Sequence, residues 1–200
     1  MLERIIEQKF EQDLTLMSPE LFDALLRCVF DKKTFTVTAA QSGRPSEQEI
    51  TAFEQTIGFG LPQDYRAFAR SGFGCLFVEV NESIWPRPKV GSIVPAWHLK
   101  YALYVYGLSS GVPDFMDIRK QFALFAKGGR RIVPFLRLEG SLDHYCFSPD
   151  GGIVLRQSGT RDTQVIEHTF TELLLKEITT LQQRAQRIQN EPNPYFGPAR

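Results

Sequence analysis

The order of helical and strand-like segments limits the fold of this chain more than any other sequence feature. Two helical stretches come first, then strand-like segments interrupted by one helix, and then a long terminal helix. Alternating apolar residues predict seven strands, over residues 34–38, 73–80, 97–108, 131–138, 143–147, 153–157 and 163–167. Hairpin-like connections outnumber strand–helix–strand units, which favours an α+β fold. The length of 200 residues suits one buried core in a single domain.

Capping signals mark where the early helices begin. Residues 2–12 form the first helical stretch, and Ser18 before a proline predicts the start of the second. Ser46 and Glu49 form a capping box, in which each side chain accepts a hydrogen bond from the backbone amide of the other. A further helix over residues 61–68 begins with Pro62 at its first helical position. The sequence therefore predicts four helices before residue 70.

Two more helices are predicted in the second half of the chain. Asp114 and Asp117 are expected in the first turn of a helix, where carboxylates complement the helix dipole. Its apolar stripe consists of Ile118, Phe122 and Phe125. A second capping box, formed by Thr169 and Glu172, opens the terminal helix. That helix is expected to end near residue 190, before a mobile tail over residues 191–200.

Charge and cysteine content narrow the possible functions and locations. Lysine plus arginine and aspartate plus glutamate both number 23, so the net charge is zero. Proteins that bind nucleic acid generally need a basic excess, so we expect no nucleic-acid partner. Three widely spaced cysteines and a charged N-terminal stretch predict free thiols and a cytoplasmic location without membrane anchoring.

One block of sequence, residues 44–80, resembles a family signature. It contains Pro45-Ser46, Glu49-Ile50, Phe53-Glu54, Ile57-Gly58, Leu61-Pro62-Gln63-Asp64-Tyr65-Arg66-Ala67-Phe68 and Ser71-Gly72. In this order and spacing the block resembles the SUKH superfamily of binding proteins. Weaker similarities continue to about residue 172. One departure is the segment 71–74, which reads Ser-Gly-Phe-Gly where many members have Asn-Gly-Gly.

The resemblance implies a domain organisation, a fold and a function. We expect an N-terminal helical extension over residues 1–43, a SUKH domain over residues 44–190, and the tail. The implied α+β fold has a mixed, mostly antiparallel sheet flanked by helices. Many bacterial members look like immunity proteins that bind and neutralise toxin domains, often nucleases or deaminases. The family has no shared catalytic constellation, so we expect no enzyme activity and no cofactor.

Candidate metal and nucleophile residues favour structural roles. His144 and Cys146 would share one face of a strand, but structural zinc usually needs four ligands with paired short spacings. Cys75 and Cys146 lie in apolar, strand-like runs, where buried and unreactive thiols are common. The sequence therefore assigns no catalytic and no metal-binding residue.

The best candidates for partner contact lie in two regions. Trp85 and Arg87 belong to the proline-rich segment Trp85-Pro86-Arg87-Pro88, a stiff loop that offers good interface anchors. Alternatively, Trp85 folds back onto the core. An acidic surface that would suit a cationic nuclease is expected from four carboxylates, namely Glu79, Glu82, Asp114 and Asp117. Two alternative functions remain. The first is a regulatory or scaffold role without a toxin partner, and the second is hydrolase activity.

Overall fold

The fold of the computed structural model agrees with the α+β prediction. The structure describes residues 13, 15–39, 43–85, 102–127, 129, 131–138, 143–159 and 162–190. The predicted helix over residues 2–12 and the tail therefore lie outside the described residues. The helices are α1 (Pro19–Phe30), α2 (Glu47–Ile57), α3 (Gln63–Ala69), α4 (Ile118–Ala126) and α5 (Phe170–Asn190). The strands are β1 (Phe35–Ala39), β2 (Leu76–Val80), β3 (Ala102–Val105), β4 (Val133–Leu138), β5 (His144–Phe147), β6 (Ile153–Arg156) and β7 (Thr163–Ile166).

The sheet keeps the order of the sequence. The seven strands pair in the order β1-β2-β3-β4-β5-β6-β7, and every pair is antiparallel. A parallel arrangement occurs only as an isolated bridge between Gly107 and Asp117 among the described residues. The register shifts between Pro134 and Leu136, where β4 forms a bulge against β5. Short connections join β4, β5, β6 and β7, so sequence order and spatial order coincide there. Longer segments, two of which contain described helices, connect β1, β2, β3 and β4.

Helices cover both faces of the sheet. On one face, α5 packs against β3, and α1 and α3 pack against α5. The Tyr145 hydroxyl donates to Glu177 Oε1 of α5 at 2.9 Å, which places the Tyr145 side chain on that face. His144 points to the opposite face because side chains alternate along a strand. There it contacts Phe125 of α4, so α4 lies on the second face.

The centre of the core is aromatic. Tyr65 and Phe68 of α3 are fully buried, as predicted from their shared helix face. The Tyr65 ring makes contacts with Phe135, Phe147 and Phe170, at centroid distances of 6.4, 5.0 and 5.2 Å. Its hydroxyl donates to the Tyr106 carbonyl at 2.9 Å, so the buried polar atom is satisfied. These contacts join α3, α5 and the middle of the sheet.

Two predicted helix starts differ from the observed ones by a short distance. Pro62 is the N-cap of α3 and not its first helical residue. The helix α4 begins at Ile118, so Asp117 is its N-cap and Asp114 lies before it. For α4 the cause is a tertiary contact. The Gly107 amide donates to the Met116 carbonyl and the Ile118 amide donates to the Gly107 carbonyl, both at 2.9 Å. This pairing holds Asp117 in an extended conformation, after a turn at residues 114–116, so the helix starts only at Ile118.

Candidate functional site

Three of the predicted contact residues lie at the end of β2. Glu79 is buried in β2, and Glu82 is exposed in the turn that follows. Trp85 closes this turn, with its amide donating to the Asn81 carbonyl at 2.9 Å, and its side chain is only 3% exposed. Trp85 thus packs into the core, which is the second of the two interpretations of this segment. Arg87 lies outside the described residues.

The other two predicted carboxylates precede α4. Asp114 is exposed and forms an ion pair with Lys120. Asp117 is buried, accepts a hydrogen bond from the Arg119 amide and pairs with the Arg119 guanidinium at 2.8 Å. The acidic groups near α4 are therefore largely balanced by basic groups of the same helix.

These positions do not produce the expected exposed acidic surface. Of the four carboxylates, Glu79 and Asp117 are buried, and Asp114 is paired. A buried carboxylate presents little charge to a binding partner. Only Glu82 and Asp114 reach the surface, from different elements.

A row of side chains crosses the face of the sheet on which α4 lies. Its members are directly opposite one another on consecutive strands: Phe77, Tyr104, Arg137, His144 and Arg156. We call this set the sheet-face row. All five are partly exposed. Because neighbouring strands are ~4.8 Å apart, the row is about 19 Å long.

Aromatic rings and arginines stack within the row. Phe77 and Tyr104 are stacked at a centroid distance of 4.6 Å, and the Arg137 guanidinium lies 5.5 Å from the centre of the Tyr104 ring. The Arg156 guanidinium lies 4.7 Å from the centre of the Phe125 ring of α4. A guanidinium held flat against a ring keeps in-plane N–H donors for carboxylates. The row therefore continues onto α4 through Phe125.

His144 and Cys146, the pair weighed as metal ligands and assigned a structural role, are engaged in other contacts. His144 Nε2 lies 3.1 Å from the Tyr106 hydroxyl, and Cys146 Sγ lies 3.7 Å from the His144 carbonyl oxygen. The two side chains do share one strand face. In the described ranges no three His, Cys, Asp or Glu side chains cluster as metal ligands.

A groove lies between α2 and α4. Its volume is about 670 Å³, and its lining consists of Glu49, Ala52, Phe53, Thr56, Arg119, Phe122, Ala123, Ala126 and Lys127. We call it the α2–α4 groove. Phe53 and Phe122 meet edge to face in its floor, with ring centroids 6.2 Å apart. The lining is mainly apolar, and its charged members are Glu49, Arg119 and Lys127.

Two charged residues of the lining, Glu49 and Arg119, interact near the start of α2. The Glu49 carboxylate accepts hydrogen bonds from the Ser46 amide at 2.8 Å and from the Ser46 hydroxyl at 3.0 Å. These hydrogen bonds, with a smaller contribution from Arg119, lower the pKa of the Glu49 carboxyl. The hydrogen bond to Asp117 raises the pKa of Arg119. The Glu49 carboxylate thus caps the start of α2. Lys127 is exposed at the C-terminal end of α4.

Two large apolar side chains are exposed on α4 and in the turn before it. Phe115 is 63% and Leu124 is 58% exposed. Leu124 belongs to α4 and Phe115 to the turn that precedes it, and Ile118 is the buried residue of α4. Leu124 is next in sequence to Ala123 of the groove lining, and exposed apolar side chains next to an apolar groove are typical of a binding surface. The surface around α4 is therefore the strongest candidate for a functional site in the described part of the chain.

The sequence contained a signal for this surface that the predicted stripe did not use. Residues 122–126 read Phe-Ala-Leu-Phe-Ala, an uninterrupted apolar run in a helix. Five consecutive helical residues extend around the whole helix circumference, so they cannot all face one core. The predicted stripe of Ile118, Phe122 and Phe125 considered only the side of the helix that faces the core, and not the apolar residues on its other sides.

Comparison with protein families gives a match over most of the chain. The model described as SMI1 / KNR4 family (SUKH-1) matches residues 44–176. This match covers α2 through the first part of α5, and so includes both helices of the groove and every strand except β1. Among curated proteins, no sequence matches this chain.

Proposed function

The chain belongs to the SMI1 / KNR4 family (SUKH-1), and from this premise we propose that it is a non-enzymatic protein-binding domain. In its specific form the proposal is a bacterial, cytoplasmic immunity protein that occupies and neutralises a toxin domain of the nuclease or deaminase type. Family membership is consistent with such a role. The structure has no helix, among the residues it describes, with the length and apolarity required to cross a bilayer.

The observation that carries the proposal is the apolar surface around α4. Phe115 and Leu124 project from it, and the α2–α4 groove lies beside it. The helix α4 also connects the groove to the sheet-face row, because Phe122 contacts Phe53 while Phe125 contacts His144. One continuous area thus offers apolar, aromatic and arginine side chains, which dominate binding energy at protein interfaces.

The predicted contact residues take different places in this proposal. Glu82 and Asp114, which are exposed, can meet a partner directly. We retain Arg87 as a contact residue on the sequence argument alone. Glu79, Trp85 and Asp117 are buried, so we propose that they position the neighbouring surface instead.

Binding by occupancy makes a definite prediction for toxin inhibition. A standard interface of about 800 Å² per partner is sufficient to cover a toxin active site. Inhibition should therefore be stoichiometric. Titration of this protein into an activity assay of the toxin domain encoded beside its gene should reach its end point near one equivalent. A toxin domain of the same class from another locus serves as the specificity control.

Other outcomes would identify the alternative functions. Protection at well below one equivalent would indicate turnover, and hence an enzyme such as a hydrolase. If neighbouring toxin domains do not bind at micromolar concentration, the immunity proposal fails and a regulatory or scaffold role replaces it.

A further inference from the structure

We propose that the α2–α4 groove binds an acidic amphipathic helix of the partner protein. This inference rests on the proposed function, because it names the element of the partner that the protein-binding surface receives. It is argued from the shape of the groove, its residue spacing and the charges around it.

The two helices present matching stripes to the groove. On α2 the lining residues are Glu49, Ala52, Phe53 and Thr56, and on α4 they are Arg119, Phe122, Ala123 and Ala126. Both sets follow the spacing i, i+3, i+4, i+7, which is one face of a helix. Two helix faces of this kind form a trough that a third helix can fill by ridge-into-groove packing.

The sizes of the lining residues leave room for such an occupant. Ala52, Thr56, Ala123 and Ala126 are small and exposed, whereas the phenylalanines lie lower in the groove. Phe53 is buried and Phe122 is half-buried, so the apolar floor is recessed between two walls. A helix that inserts Leu, Ile or Phe side chains would cover Phe122 and the small exposed residues of the two walls.

The charges carried by α4 and the residues after it favour an acidic partner, and Glu49 of α2 is the acidic residue of the groove lining. Between residues 118 and 131 the chain has five basic residues and no acidic residue: Arg119, Lys120, Lys127, Arg130 and Arg131. Arg119 and Lys120 are paired within the protein. Lys127 and Arg131 are exposed and form no ion pair with any described residue. Complementary charge across an interface favours association with carboxylate groups.

A protein helix explains the groove better than an anionic membrane does. Membrane-binding helices place their apolar side chains outward, where they enter the acyl chains. Here the aromatic lining of the groove does not project, since Phe53 is buried and Phe122 is half-buried. The two projecting apolar side chains, Phe115 and Leu124, are not part of the groove lining. Binding to a lipid surface is the outcome that would contradict a protein helix as the occupant.

The test measures affinity for the toxin domain encoded beside the gene, with the full chain and two substitutions. Ala123→Trp fills the groove from an exposed position and should weaken binding about 100-fold, the effect of losing a central contact. Gln183→Trp, at an exposed position of α5, is the matched control and should leave affinity unchanged. Lys127→Glu should weaken binding about tenfold at low salt and less at high salt, whereas Lys176→Glu on α5 should not.

The outcomes separate this inference from the proposed function. If the wild-type chain binds the toxin domain and Ala123→Trp and Lys127→Glu bind equally well, the groove is not the docking site, although the binding function stands. If the wild-type chain does not bind, the proposed function fails and the inference fails with it. Circular dichroism checks that both variants are folded. Wild-type binding to vesicles of phosphatidylglycerol that Ala123→Trp abolishes, with toxin binding unchanged, would overturn the protein-helix occupant.

Discussion

Trp85 illustrates, at the residue scale, how burial changes the role assigned to a side chain. Its sequence context, between an exposed turn and two prolines, is typical of a contact loop. In the structure the turn from Asn81 brings the indole into the core. The neighbouring Glu82 points to solvent. Two residues three positions apart therefore have different expected effects on substitution.

We predict that Trp85→Ala lowers stability before it affects binding. Loss of a buried indole should reduce the free energy of unfolding by about 3–5 kcal/mol, measured by urea denaturation. Glu82→Ala is the control and should change stability by less than ~0.5 kcal/mol. Weaker toxin binding of Trp85→Ala at an unchanged unfolding midpoint would show that Trp85 is a contact residue after all.

Cys28 is a second residue whose environment, and not its identity, determines its behaviour. All three cysteines are buried free thiols in the structure, as their number and spacing predicted. Burial raises the pKa of the Cys28 thiol from its ordinary 9.0 to about 11, against the opposing effect of the hydrogen bond from Gln182. The thiolate, which is the reactive form, is therefore disfavoured in the folded protein.

We predict that the stability supplied by the neutral Cys28 thiol is lost at high pH. The folded pKa is the higher one, so the contribution is complete below pH 9 and falls as pH rises towards about 11. The unfolding free energy of the wild type should thus decrease more than that of Cys28→Ala between pH 8 and 10.5. Tyrosines with raised pKa values affect both proteins alike. Parallel pH profiles for the two proteins would contradict this assignment.

At the scale of elements, local capping determines where the helices begin. Both predicted capping boxes are present: the Glu49 amide donates to Ser46 Oγ, and the Glu172 amide donates to Thr169 Oγ1, each at 3.2 Å. The box at Thr169 also has a long-range partner, since the Thr171 amide donates to Asp64 Oδ2 at 2.9 Å. This bond connects the starts of α3 and α5.

We predict that Ser46→Ala destabilises the protein by about 1 kcal/mol, because the Glu49 amide loses its acceptor at the start of α2. Chemical denaturation measures the effect. Gln48→Ala, at an exposed position in the same helical turn, is the matched control and should change stability little. If the two variants were equally stable, the capping box would make no net contribution.

At the scale of the whole molecule, the segment before the family match is part of the core. The strand β1 pairs along its length with β2, and α1 packs against α5. Asp13 is fully buried, pairs with Arg44 at 2.9 Å and accepts the Gly72 amide at 3.0 Å. Gly72 lies in the turn where the sequence departs from the common family pattern. The residues before 44 thus support that turn and one edge of the sheet.

We predict that deletion of residues 1–43 prevents stable folding. It would expose the edge of β2 and the surface of α5 that α1 covers, and it would remove buried residues such as Leu21 and Leu25. Circular dichroism and thermal melting measure the result. Deletion of residues 191–200 is the control and should leave the melting temperature unchanged. A 44–200 fragment with an unchanged cooperative transition would show that residues 44–190 fold independently of the first 43.

The features that the sequence determined by itself are those that depend on near neighbours along the chain. Helix caps and strand alternation involve residues within about four positions, so Ser46, Glu49 and the seven strands were predicted correctly. The adjacency of β4, β5, β6 and β7 also reflects proximity along the chain, because short connections join these strands. The family signature likewise lies in one local block.

Tertiary structure decided which surfaces and cavities these elements create. The α2–α4 groove brings Phe53 to Phe122, and the sheet-face row brings Phe77 into line with Arg156. Gly107 shows the same dependence, because a Cβ at this position would lie 2.4 Å from the Cβ of Cys75. Such proximities depend on strand register and helix packing between residues far apart in sequence. Local propensity contains no information about these contacts between distant residues, so the groove and the sheet-face row emerged only from the packed chain.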